Sequence, residues 1–416
     1  MVNFFSPARP QIMITFLNKF SSIFSKRSFI SFAFYFSGLF LELKRTNIQT
    51  ISQKTISAKY QNIQYFISDS NWNIELLNDK RILTIESNRT TKSCPNGALV
   101  LDDTGCKKSG FNTQGVQVQR LPSDGTQTKC NIVVFSAYSD LNKHFPINHK
   151  PYIPKNDTFF SENPNEYFKS KLELAQDLVT DALDKKIKFS DVIIDNWYFA
   201  NDFIDFLQLK GLTFISEAEI SRRISYHKKW TRADELVKLI PKDKFRWVTL
   251  SLPNGETKKF WTYSFQTKLK GLNGYFKIVV AIGKWNEEDL KGVHVLVSNH
   301  LKYSAFDILS KYALRWGIEC IFRDLKENVA FDHYQVRSIK AISRHWHLAA
   351  LAYTFLYWCK QNGYLSKNFS EKPKTMGDQL LLLRKLNSST AVDWIIQNPE
   401  SYQNFLGIKK TLRRAA

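Results

Sequence analysis

Through the first 85 residues or so, Phe and Leu alternate with Lys, Arg and Gln at the period of an amphipathic helix, which predicts a mostly helical region without a helix-turn-helix. The pattern changes at Ala98. ALVL (98–101) is a compact apolar run of the kind that forms a buried strand, and DDTG (102–105) after it reads as a turn. GVQVQRL (115–121) and NIVVFSAYS (131–139) complete an expected three-stranded meander, followed by a Pro- and His-rich loop (144–157) and a long helix (165–186). In DVIIDNWYFANDFIDFLQLKG (191–211) a short strand ends at Asp195 and a helix runs on to Gly211; TFISEA (213–218) is the next strand. FRWVTLSL (245–252), KKFWTYSF (258–265) and YFKIVVAI (275–282) are strand-like and separated by turns. Helices from Ser304 and over 342–363 close the pattern, so strands and helices mix along the chain as in an α/β protein.

Charge adds a partner to this picture. Fifty-nine Lys and Arg against 38 Asp and Glu give a net charge of +21, spread along the chain, which points to an extended polyanion and to nucleic acid above an acidic membrane. Residues 220–296 alone carry 16 Lys and Arg against 7 Asp and Glu. The longest uncharged apolar stretch, Ser28 to Leu41, is shorter than the roughly 20 residues that span a bilayer. With no small-residue cleavage site after it, it predicts an aromatic core helix rather than a membrane span or signal peptide. Five cysteines without a C-x-x-C pair argue against a disulfide framework or a cysteine zinc site and for a reducing cytoplasm. His345 and His347 face different sides of a helix and read as structural.

The candidate chemistry begins in YALRWGIECIFRDLK (312–326). At about 100° per residue, Tyr312, Arg315, Glu319 and Lys326 share one polar stripe, beside a buried face of Leu314, Ile318, Ile321, Phe322 and Leu325. By itself the Arg315–Glu319 spacing is that of a surface ion pair worth about 0.2–0.5 kcal/mol. Two upstream acids change its meaning. Asp102 and Asp195 each follow a buried strand, where α/β sheets place their ligand-binding groups. Three carboxylates brought together need cations, and two Mg²⁺ ions about 3.5–4 Å apart (or Mn²⁺ in their place) suit hard oxygen ligands and in-line displacement at phosphorus.

This order of segments resembles the DDE transposases of insertion sequences, in the class with a Tyr-x2-Arg-x3-Glu-x6-Lys helix, which Tyr312, Arg315, Glu319 and Lys326 match without departure. LVLDDTG resembles the family's first-acid segment and selects Asp102, with Asp103 as the fallback; VIIDNWY resembles the second and selects Asp195. FDHYQVRSIKAISRHWHLAALAY (331–353) resembles the segment after the helix. The resemblance implies an RNase H-like mixed sheet flanked by helices, in which Asp102, Asp195 and Glu319 hold two metal ions and catalyse cut-and-paste transposition. It implies that Tyr312, Arg315 and Lys326 bind DNA phosphates, and that an aromatic of the insertion stacks on a flipped base; Trp230, Trp247, Trp261 and Trp285 are the candidates. The partners implied are double-stranded DNA, as terminal inverted repeats and target, and a second copy in a synaptic dimer, with no membrane and a cytoplasmic, nucleoid-associated location. An RNase H-like nuclease or resolvase without strand transfer, and an inactive DNA-binding regulator, are the alternatives. The expected organisation is a helical DNA-binding and assembly region (1–90), a first core segment (91–219), a β-rich basic insertion (220–296), a second core segment with the Glu helix (297–365) and a helical tail (366–416).

Overall fold

A computed structural model describes residues 8–43, 45–120, 125–251, 256–283, 292–369 and 373–414. Five helices come first: α1 (Gln11–Asn18), α2 (Lys26–Gly38), α3 (Ile48–Lys54), α4 (Tyr60–Ser68) and α5 (Ile74–Glu86). Four strands follow, β1 (Ala98–Lys107), β2 (Val116–Arg120), β3 (Gln127–Ser139) and β4 (His144–Tyr152), then α6 (Thr158–Glu162) and α7 (Lys171–Asp184). Next come β5 (Asp191–Ile194), α8 (Asn201–Leu209), β6 (Phe214–Glu217), β7 (Arg223–Tyr226), β8 (Lys229–Arg232) and α9 (Ala233–Leu239). Strands β9 (Arg246–Ser251), β10 (Thr257–Thr267), β11 (Phe276–Ile282) and β12 (Val293–Ser298) precede α10 (Ala305–Tyr312), α11 (Trp316–Val329), α12 (Ile339–Asn362), α13 (Met376–Gln397) and α14 (Pro399–Arg414).

The main sheet runs β2-β3-β1-β5-β6-β12-β11-β10-β9, with β4 paired to the outer edge of β3 beyond β2. Strands β1, β5 and β6 are parallel and their neighbours antiparallel, the mixed α/β arrangement of an RNase H-like core. Such parallel strands are buried on both faces, and Leu99, Val100, Leu101, Val192, Ile193 and Ile194 are indeed fully covered. The strands of the 220–296 segment do not build a sheet of their own apart from the small β7–β8 hairpin. β12 pairs with β6, so β9–β12 widen the core sheet, and the boundary expected at 296 falls inside β12.

Three local expectations are corrected. DDTG is not a turn: β1 continues through it to Lys107, because every residue from Asp102 to Lys107 finds a partner on β3. The stretch 144–157 is not all loop, since 144–152 forms β4; its Pro146 and Pro151 are tolerated because an edge strand need not donate on its open side. The helix expected from 165 starts at Lys171, where Ser170 and Glu173 form a reciprocal capping box.

The aromatic stretch around Ser28–Leu41 is a core helix as expected, with Phe32 and Phe36 fully buried; Phe36 packs on Phe16 and Phe355. Helix α12 is buried on all sides, and the N-terminal helices are tied to it and to the sheet. Arg344 donates to the carbonyls of Ile67 (3.1 Å) and Ser70 (2.6 Å), and Arg81 to that of Pro146 (2.7 Å). No helix among the described residues is long and apolar enough to cross a membrane.

Candidate active site

β1 pairs with β5 only over residues 98–100, so Asp102 lies where β1 outruns its neighbour, and Asp195 is the first residue past β5. In the register that sets Ile194 beside Ser216, the next position on β6 is Glu217. Three neighbouring strands therefore present acids along one rim, Asp102 where β1 outruns β5 and Asp195 and Glu217 at strand ends. Asp195 is held by a local turn, its Oδ1 accepting from the backbone N–H groups of Trp197 (3.0 Å) and Tyr198 (3.1 Å).

Asp102 and Asp103 part ways. Asp103 is engaged by Lys171 (3.0 Å) and by the Tyr198 hydroxyl (3.2 Å). Asp102 instead points to Arg315, whose Nη1 lies 3.4 Å from its Oδ2 while Nη2 donates to Glu319. Burial, then the charges of Asp195 and Asp103, push the Asp102 carboxyl up to about 7, and burial also raises Asp195. Burial opposes the charge on Arg315, but Tyr312, Glu319, Asp102 and Asp195 together outweigh it and hold the guanidinium protonated.

The helix carrying Glu319 is not continuous. A 3₁₀ turn, Ala313–Arg315, separates α10 from α11, which spreads the expected stripe along the rim. Arg315 bridges Asp102 and Glu319. Tyr312 directs its hydroxyl 3.4 Å from Glu217 Oε2, and Lys326 reaches Thr104 Oγ1 and the Gly105 carbonyl, both at 2.9 Å, farther along β1.

Glu217 also accepts from His294 Nδ1 at 2.7 Å, and that bond raises the imidazole pKa. Sequence reading passes over this pair because the two residues sit 77 positions apart and meet only through the β6–β12 pairing. Glu217→Gln is expected to return His294 towards its ordinary pKa and to loosen Tyr312, lowering any activity of the site about tenfold. An NMR titration of His294 unchanged by the substitution would dismiss the pairing. Among the aromatics, Trp230 and Trp247 are about half exposed, the Trp261 ring lies tilted 3.9 Å from that of Trp247, and Trp285 lies outside the described residues. Trp197 and Trp316, each 50% exposed, are nearer to the rim in sequence, next to the Asp195 turn and Arg315; the Asp-Asn-Trp-Tyr string was the available signal for the first.

Among the described residues no three His, Cys, Asp or Glu side chains converge closely enough to enclose an ion as they stand. The donor chemistry nevertheless fits a hard divalent cation. All the acids offer oxygen, Asp102 and Asp195 repel each other, and the positive charge between Asp102 and Glu319 comes from Arg315.

A family model described as a DDE superfamily endonuclease matches residues 19–235, just over half of the chain and including Asp102 and Asp195. The chain belongs to this superfamily. A second model of the DDE group, a transposase DDE domain, matches residues 169–355 of this DDE protein, a range that includes Asp195 and Glu319. A probable transposase for insertion sequence element IS701 from Microchaete diplosiphon is 27% identical over 215 residues, 50% of this chain and 54% of the relative. The DDE chain thus spans about half the length of the curated relative it matches.

Proposed function

We propose that the protein is the transposase of an insertion sequence, cutting DNA at the element's ends and joining them to a target by phosphoryl transfer. The observation that carries this reading is the bridging of Asp102 and Glu319 by Arg315 at the rim beside Asp195, in a DDE-superfamily chain. Asp102, Asp195 and Glu319 would hold the metal ions, Mg²⁺ by the hardness of the oxygen donors and Mn²⁺ as its substitute. Bound there, the ions would supply charge neutralisation at the phosphate and an activated oxygen nucleophile.

The remaining work belongs to the chain's own groups. Burial and the charge of Asp195 hold the Asp102 proton up to about pH 7, and a cation bound between the two carboxylates would release it at lower pH. Arg315, released from Asp102 and Glu319, presents a bidentate fork to a phosphate, and Lys326 adds a point charge farther along β1. Tyr312, once its hydroxyl turns from Glu217, would donate to the same phosphate. Two copies, one for each end of the element, would act together at the nucleoid.

The direct test incubates the protein with the DNA flanking its own reading frame and Mg²⁺ and maps the cut ends. Cleavage followed by joining to a second duplex is the expected result. Cleavage without joining would favour a nuclease instead, and binding without metal-dependent cleavage would favour a regulator. Arg315→Lys keeps the charge and loses the fork, so it is expected to cut about 10–100-fold more slowly with DNA binding intact. Full activity in that variant would remove Arg315 from the site.

A further inference from the structure

Beyond Lys326, the face of β1 that bears Asp102 leads to a second charged feature. Alternate residues share a face of a strand, so Asp102, Thr104 and Cys106 line up, with Lys108 next past the strand end. Arg315 lies at the first of these and Lys326 at the second. Lys108 ends the line, its Nζ donating to the Tyr334 carbonyl (3.2 Å) and resting 3.2 Å from the centre of the Tyr334 ring.

There a cleft of about 460 Å³ opens between the end of β1 and the 332–337 loop, with Arg45, Lys107, Lys108, His333 and Arg337 around a single carboxylate, Asp332. Arg45 and Arg337 are exposed. The cleft shares Tyr334, Gln335, Val336 and Arg337 with a neighbouring one of about 510 Å³, whose wall includes the amides of Asn47, Gln49 and Gln64. Together they form a basic, amide-lined groove that the carboxylate chemistry does not use.

Six residues of extended chain separate Asp102 from Lys108, about 20 Å at roughly 3.3 Å each. At about 3.4 Å per nucleotide step of duplex, that is about six base pairs. We infer that this groove holds the backbone of the same DNA duplex whose scissile phosphate lies at the Asp102–Arg315–Glu319 rim, about six base pairs from the cut. This rests on the endonuclease reading above for its direction. A duplex suits the groove better than a single strand, because single-strand sites rely on open aromatic faces for base stacking. Of the tyrosines that line the two clefts, Lys108 covers Tyr334 and Tyr35 is buried, which leaves Tyr60 as a single open ring, too few to stack a run of bases.

The test measures binding of the full chain to a duplex of arbitrary sequence, without metal, across a salt series. Arg45→Glu combined with Arg337→Glu is expected to weaken binding at least tenfold. Loss of two phosphate contacts should also make the slope of log affinity against log salt shallower by about two units. The Arg45→Lys, Arg337→Lys pair should bind as the parent does, and Arg45→Ala with Arg337→Ala replaces the reversal should that fail to fold. Unchanged affinity and slope would overturn the inference, as would equal losses for a single strand of the same length. On cleavable DNA, phosphate-ethylation interference is expected about six base pairs from the cut and to vanish in the Arg45, Arg337 variant; interference confined to the cut would also overturn it. Failure here is separable from failure of the endonuclease reading, because the binding series needs neither metal nor cleavage and reads the groove whether or not the parent cuts.

Discussion

Asp102→Asn is expected to abolish DNA cleavage, by at least about 10³-fold, while making the metal-free protein more stable. Burial, Asp195 and Asp103 hold the Asp102 carboxyl at about 7 against an ordinary 3.8. The folded chain therefore binds this proton more tightly than the unfolded chain does. Stability is fully present below about pH 4 and is lost as pH rises through about 7. Asn carries no charge to desolvate, so above pH 7 the variant escapes the penalty. A carboxyl held that far above its ordinary value sets a ceiling of about 4 kcal/mol, and losing the Arg315 contact offsets part of it, which leaves a gain on the order of 2 kcal/mol. Calorimetry of both proteins in chelator, at about pH 8 and about pH 4, checks this. The gain should appear at the higher pH and disappear at the lower; a variant that is less stable at both would contradict the electrostatic account of the rim.

The second large effect lies in packing rather than charge. Gly317 is the second residue of α11, two before Glu319. A Cβ at Gly317 would stand 2.2 Å from Ser139 Oγ, 2.9 Å from Ser139 Cβ and 3.2 Å from His144 Cβ. Ser139 is itself buried at the end of β3, opposite Ala98 of β1. Helix propensity favours Ala over Gly by about 1 kcal/mol, but the clash is with atoms close to the backbone and wins. Gly317→Ala should cost about 1–3 kcal/mol and push α11 off the sheet. A displacement near 1 Å at Glu319 is enough to reduce cleavage about 100-fold. Denaturant unfolding and cleavage assays on the same preparation test the two halves separately. Full activity in a destabilised variant would mean that Glu319 is placed by something other than this close approach.

The arrangement around Glu319 was legible to different degrees for physical reasons. Arg315 and Glu319 are four residues apart on a periodic helix, so local spacing alone brings them together. Tyr312 shares that spacing only if the helix is unbroken; the 3₁₀ turn at Ala313–Arg315 rotates it towards Glu217. DDTG has the composition of a turn, yet the pairing of Thr104 with Val133 and Gly105 with Ile132 keeps it extended. Strand pairing overrides composition, and a partner strand some 30 residues away leaves no local trace. The choice of Asp102 over Asp103 is of the same kind. Adjacent acids differ only in what they meet, Arg315 for one and Lys171 with Tyr198 for the other.

The continuity of β6 with β12 also has a consequence for how the chain is made. β6 is complete at Glu217, but the strand that covers its far edge ends at Ser298. About 80 further residues must be synthesised before that edge is closed, on the order of 4–16 s at ribosomal rates. During this interval the nascent chain presents a short row of unpaired backbone donors and acceptors, open to a neighbouring chain on the same message. Glu319 emerges later still, so a chain cut short before α11 carries the aspartates without their third acid. Soluble yield should accordingly respond to translation speed across residues 217–298 more than to speed across any other stretch of comparable length.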